Sequence, residues 1–126
     1  MRAAVNAIHH GFAIGSFVDE LAHVLADAAG AAIRPWFRAR FEIETKADAS
    51  PVTIADRAAE AAIRALLAEH RPDDGIIGEE YGEDRPDNHR VWVLDPIDGT
   101  RAFVAGRPIF GTLIALLEDG VPVLGV

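Results

Sequence analysis

Four apolar residues, Val91 to Leu94, run straight into Asp95, and a second carboxylate, Asp98, follows three positions later, just before Gly99-Thr100. Glu79-Glu80 likewise follows the apolar pair Ile76-Ile77. Strand ends are rigid, so side chains placed there can converge on a point. Several carboxylates within a few ångströms repel one another and cannot all stay ionised unless a cation sits among them. Oxygen-only ligands, in a chain with no cysteine and no convincing histidine cluster, select a hard ion, magnesium or manganese, over zinc. Gly99 and Thr100, at the start of a helical turn, would offer backbone N–H groups to an anion. Carboxylates for a metal beside amides for an anion describe metal-assisted phosphoryl hydrolysis. The metal inverts the local charge, so an acidic chain can still accept a phosphate.

Each of these features has a plainer explanation when taken alone. Asp-Pro and Asp-Gly are common turn dipeptides, Asp98 could cap a helix, and a Glu pair is usually solvated. Three acidic strand ends together with Gly-Thr favour the metal reading. A haloacid-dehalogenase-type phosphatase would need Asp-x-Asp, because residues i and i+2 share one side of a strand. Here the spacing is Asp95-x-x-Asp98 with Pro96 between, and that alternative fails.

The elements that must position these residues follow from periodicity. Ser16 and Asp19 fit a capping box. After them Phe17, Leu21, Val24, Leu25, Ala28, Ala32 and Ile33 recur at helical spacing, until Arg34-Pro35 ends the run. Phe41, Ile43 and Thr45 alternate with charged residues as a half-exposed strand, and 47–51 is turn chemistry. Thr53 opens a second helix whose apolar face is Ala55, Ala59, Ala62, Ile63, Leu66 and Leu67. Arg57, Glu60, Arg64 and Glu69 fall on its solvated side, and the sequence from Arg71 to Gly75 stops it. Ile76-Ile77 is a short strand, 82–90 a polar loop, and Val91 to Leu94 a buried strand. Residues 110–117 and 121–126 are strands joined at Asp119-Gly120, a hairpin signal. The expected fold is therefore α/β, with helices layered on a largely antiparallel sheet.

Composition narrows the function class. The 126 residues carry 20 acidic and 12 basic side chains, a formal charge of −8, and half of them are hydrophobic. That is a soluble domain with a real core. Its charge argues against a nucleic-acid partner. No apolar run approaches the roughly 20 residues that span a bilayer. The absence of cysteine excludes a disulfide scaffold and fits a cytoplasmic location. Residues 1–15 make a poor signal peptide and are set apart as a leader that need not be ordered; 16–126 form the domain. The chain stops at Val126 inside an apolar β run, which would leave a sheet edge bare, so an N-terminal fragment is expected.

Gly78-Glu79-Glu80 and Asp95-Pro96-Ile97-Asp98-Gly99-Thr100 resemble the G-E-E and D-P-[IL]-D-G-T elements of the inositol monophosphatase superfamily, and Ser50 through Asp56 matches the stretch before its second helix. Ala49 to Arg57, Gly78 to Gly82, and Arg101 to Pro108 followed by Phe110 to Leu117 are similar to the histidinol-phosphatase branch. The resemblance implies a magnesium-dependent phosphomonoesterase, with manganese as a possible substitute, acting on a small phosphorylated metabolite. L-histidinol phosphate is the first expectation and inositol 1-phosphate the alternative. It also implies a homodimer and a longer chain, whose second half supplies a further metal-binding Asp and most substrate recognition; a shortened, non-catalytic metal-binding or dimerising module is the third alternative. Residue by residue, it implies that Glu79, Asp95 and the carbonyl of Ile97 ligate one metal, with Glu79 also catalytic in orienting the attacking water, and that Asp95 with Asp98 ligates a second. It places Gly99 and Thr100 on the phosphate, Thr100 with Asp56 on the attacking water, and Glu80 and Lys46 around the metal-binding groups. Asp56 also completes a Thr53-x-x-Asp56 capping box, so cap and catalytic partner stand even on sequence.

Overall fold

The computed structural model describes residues 16–38, 51–108 and 110–126, without the side chains of Ser16 and of residues 51–53. Lys46, the strand expected at 41–45 and the leader lie outside the described residues. Helix α1 spans Ser16–Ile33 and gives way to a 3-10 turn, Arg34–Trp36, at Pro35. Its buried stripe is Val18, Leu21, Ala22, Leu25, Ala29 and Ile33, while Phe17 and Val24 are exposed. The apolar face is thus rotated from the expected one, because small Ala22 and Ala29 let the neighbouring helix come close where Phe17 and Val24 would hold it off. Helix α2, Pro51–His70, packs against α1 through Ala55, Ala59, Ile63 and Leu67, spaced four apart. It starts two residues before Thr53, with Pro51 in the first helical position, which its fixed φ suits.

Among the described residues five strands follow: β1 (Gly75–Gly78), β2 (Gly82–Asp84), β3 (Arg90–Asp98), β4 (Gly111–Glu118) and β5 (Val121–Gly125), with a short helix α3 (Thr100–Val104) between β3 and β4. They form one sheet in the order β2-β1-β3-β4-β5. Three pairings are antiparallel and one, β1 with β3, is parallel. Within the expected polar loop, Gly82–Asp84 makes a charged, exposed edge strand. Such charge discourages pairing with another chain. Asp119 and Gly120 both take positive φ, 49° and 79°, as a tight hairpin turn requires.

One face of the sheet meets the helices. Trp92, Leu94, Ile114, Leu116 and Leu124 join the helical stripes in a single core. Trp92 is fully buried, and its indole N–H donates to Asp74 Oδ2 at 3.0 Å. Asp74 is buried in the turn between α2 and β1, where it also receives both arms of the Arg71 guanidinium at 2.9 and 3.2 Å. This carboxylate ties the end of α2 to the central strand, which fixes how α2 lies over the sheet. None of the helices among the described residues is long and apolar enough to cross a membrane.

Candidate metal-binding and catalytic site

The parallel pairing of β1 and β3 builds the site. Gly78 pairs with Leu94, so the next residue of each strand, Glu79 and Asp95, emerges at the same edge of the sheet. An antiparallel pair would send them to opposite edges. Helix α2 runs back over these strands, which brings Asp56, in its second turn, to that same edge. Asp56 is therefore too far into the helix to be its cap. Its carboxylate stands within electrostatic reach of Glu80, Asp95 and Glu79.

Asp95 and Asp98 share a side for a less obvious reason. In a regular strand, residues three apart face opposite ways. Asp95 pairs with Leu113 and Asp98 with Gly111, so two residues of β3, Pro96 and Ile97, oppose the single Thr112 of β4. This bulge restores the i, i+2 relation, and both carboxylates fall on one face. Proline suits the bulge because it has no N–H to leave unpaired. The Thr112 hydroxyl donates to the Pro96 carbonyl at 2.8 Å and fastens the bulge to β4.

The electrostatics reflect this proximity. Burial pushes the Asp56 carboxyl up to about 7, with further contributions from Glu80, Asp95 and Glu79, against which the Ile97 N–H stabilises the ionised form. Asp95 is also raised, first by burial and then by Glu79 and Asp98. Asp56 thus feels Glu80, Asp95 and Glu79, and Asp95 feels Glu79 and Asp98. Glu80 is half-buried, and Arg57 reaches its carboxylate at 3.6 Å. Glu79 and Asp98 are exposed.

An all-oxygen set of repelling carboxylates is the donor chemistry of a hard divalent cation. Among the described residues no group of three His, Asp or Glu side chains stands close enough to enclose an ion. Gly99 takes a left-handed φ of 90° and starts α3 at Thr100, which is exposed. Among the described residues no hydrogen bond joins Thr100 to Asp56. Asp56, Glu79, Glu80, Asp95, Ile97 and Asp98 are brought together, with Gly99 and Thr100 adjoining, while Lys46 lies outside the described residues.

One residue of this neighbourhood was not expected. Glu60, assigned from periodicity to the solvated side of α2, is fully buried. Its Oε1 accepts the Glu80 N–H at 3.1 Å, and its Oε2 accepts the Tyr81 N–H at 2.8 Å and the Arg64 Nε–H at 3.1 Å. A signal was present: Glu60 and Arg64 are an i, i+4 pair, and Glu60 adjoins the buried Ala59. Periodicity alone treats such a pair as a surface decoration.

The sequence profile of the inositol monophosphatase family matches residues 16–126. A solved structure described as an inositol monophosphatase from Zymomonas mobilis aligns with TM-score 0.74 and 65% sequence identity, covering 84% of this chain and 40% of its own. The histidinol-phosphatase of Mycobacterium tuberculosis is 51% identical over 107 residues, 84% of this chain and 41% of that protein. The bifunctional phosphatase IMPL2 of Arabidopsis thaliana, a chloroplastic protein, is 52% identical over 108 residues, 82% of this chain and 31% of its own length. The chain therefore spans well under half the length of the relatives it matches.

Proposed function

Because this chain belongs to the inositol monophosphatase family, we propose that it is the metal-binding portion of a magnesium-dependent phosphomonoesterase. The observation that carries this reading is the edge shared by β1 and β3, where the parallel register and the bulge collect Glu79, Asp95 and Asp98 beside Asp56. Glu79, Asp95 and the Ile97 carbonyl would hold one magnesium ion, and Asp95 with Asp98 a second. When bound, magnesium lowers the pKa of water and stabilises charge on attacking and leaving oxygens. Asp56, steadied by the Ile97 N–H, would accept the proton that Thr100 relays from the attacking water. The Gly99 and Thr100 amides would hold the phosphate, with Glu80 and Lys46 supporting the ligands. Metal-activated water needs no covalent phosphoenzyme.

L-histidinol phosphate, hydrolysed to L-histidinol, is the substrate we favour, because several relatives at 45–52% identity are histidinol-phosphatases. Inositol 1-phosphate is the second reading, favoured by the description of the 65%-identical structure as an inositol monophosphatase. Comparing kcat/KM for the two esters, with the complete polypeptide in magnesium and in EDTA, separates them. Magnesium-dependent turnover with a clear preference for histidinol phosphate is expected. Failure to release phosphate from either ester, or from an aryl phosphate, would overturn the proposal.

A further inference from the structure

We infer that Glu60 and Arg64 are positioning residues that set the metal affinity of the site through the backbone of the loop carrying Glu79; this rests on the metal-dependent reading above. Glu79 is exposed and projects from a turn between β1 and β2, so its placement depends on the main chain around it. That main chain is held from α2. The two oxygens of the fully buried Glu60 carboxylate take the N–H groups of Glu80 and Tyr81, the two residues after Glu79. Arg64 pairs with the same carboxylate at 3.1 Å, donates through Nη2 to the Gly82 carbonyl, and lies 5.9 Å from the centre of the Tyr81 ring. Three consecutive residues beyond Glu79 are thereby fixed to one ion pair.

The residue before Glu79 shows how tight this clamp is. A Cβ on Gly78 would stand 2.4 Å from Glu60 Oε1, so only glycine leaves room for the carboxylate beneath the loop. Glu60 is also one helical turn beyond Asp56 on α2. One helix therefore supplies both a member of the acidic cluster and the clamp that aims its neighbour, so the spacing between them is set by a single rigid element. A buried charge pair is a poor source of stability compared with apolar packing. A role in orienting a ligand accounts for keeping one here, since partners behind metal ligands typically change affinity by about 10–100-fold when removed.

The test is the affinity of the complete polypeptide for Mn2+, measured by calorimetry or by the loss of free-ion electron paramagnetic resonance signal, in wild type, Glu60→Gln and Gly78→Ala. Glu60→Gln keeps the shape but puts an amide N–H2 against donors; Gly78→Ala attacks the same contact from the other side. Both are expected to weaken Mn2+ binding by about tenfold or more while circular dichroism stays native. In activity, the magnesium concentration for half-activation rises more than kcat falls. A purely structural role would lower the melting temperature and leave affinity unmoved. If either variant is folded and binds Mn2+ as the wild type does, the inference is overturned. Wild type that binds Mn2+ but hydrolyses no phosphate ester would sink the phosphatase reading and leave the clamp standing. If Glu60→Gln does not fold, Gly78→Ala decides the matter.

Discussion

Asp95 carries the conflict at the centre of this site. It is partly buried, and Glu79 and Asp98 both raise the cost of its charge. Removing that charge should therefore help the fold and harm the function, a common opposition at active sites. Asp95→Asn is expected to raise the melting temperature in EDTA and to lower magnesium-dependent activity by on the order of 10²-fold or more. Thermal melts beside phosphate release check both halves, and a variant destabilised without metal would contradict the electrostatic account. Asp74 is the opposite case, a carboxylate whose charge is fully employed. Asp74→Ala strands the Trp92 indole N–H and the Arg71 fork. It should cost about 3–5 kcal/mol, the range for breaking a buried pair, in urea unfolding. These two roles were unequally legible. Asp95 announces itself as a carboxylate at the end of an apolar run; Asp74 sits in a Pro-Asp-Asp-Gly sequence that reads as a turn, and only burial of Trp92 beside it shows that its side chain faces inward.

At the scale of elements, the strand ends were readable but their convergence was not. The apolar runs Ile76-Ile77 and Val91 to Leu94 mark both as strands and say nothing about which strand pairs with which, or in which direction. The parallel β1–β3 register that sets Glu79 beside Asp95 is a tertiary fact. The same holds for the bulge at Pro96-Ile97, which turns a spacing of three into a shared face. Glu60 escaped because helical periodicity assigns a face but does not count what later packs over it; the loop after Gly78 lands on that side of α2. The bulge makes a prediction at its own scale. Thr112→Val removes the hydroxyl that holds the Pro96 carbonyl and should cost about 1 kcal/mol in urea unfolding. Cation affinity should weaken with it, as Asp95 and Asp98 lose their fixed separation. A stability loss with unchanged affinity would show that the bulge is held by β3 alone.

Across the whole molecule, the acidic edge couples stability to pH. The Asp56 carboxyl ordinarily titrates near 3.8 and is pushed up to about 7 in the fold. Between those values the folded chain holds a proton that the unfolded chain has lost, so stability falls as pH rises through that window and levels off above it. Asp95, shifted in the same direction, adds to the slope. Melting temperatures in EDTA should accordingly be higher at pH 5 than at pH 8, and saturating magnesium should recover the loss at pH 8 by lending the carboxylates a counter-charge. A metal-free protein more stable at pH 8 would reverse the sign required. The most direct measurement is a crystal of the complete polypeptide grown with Mn2+ and recorded at the manganese absorption edge. Anomalous peaks bounded by Glu79, Asp95, Asp98 and the Ile97 carbonyl are predicted, and manganese bound elsewhere with that edge of the sheet bare would contradict the assignment of these carboxylates as a metal centre.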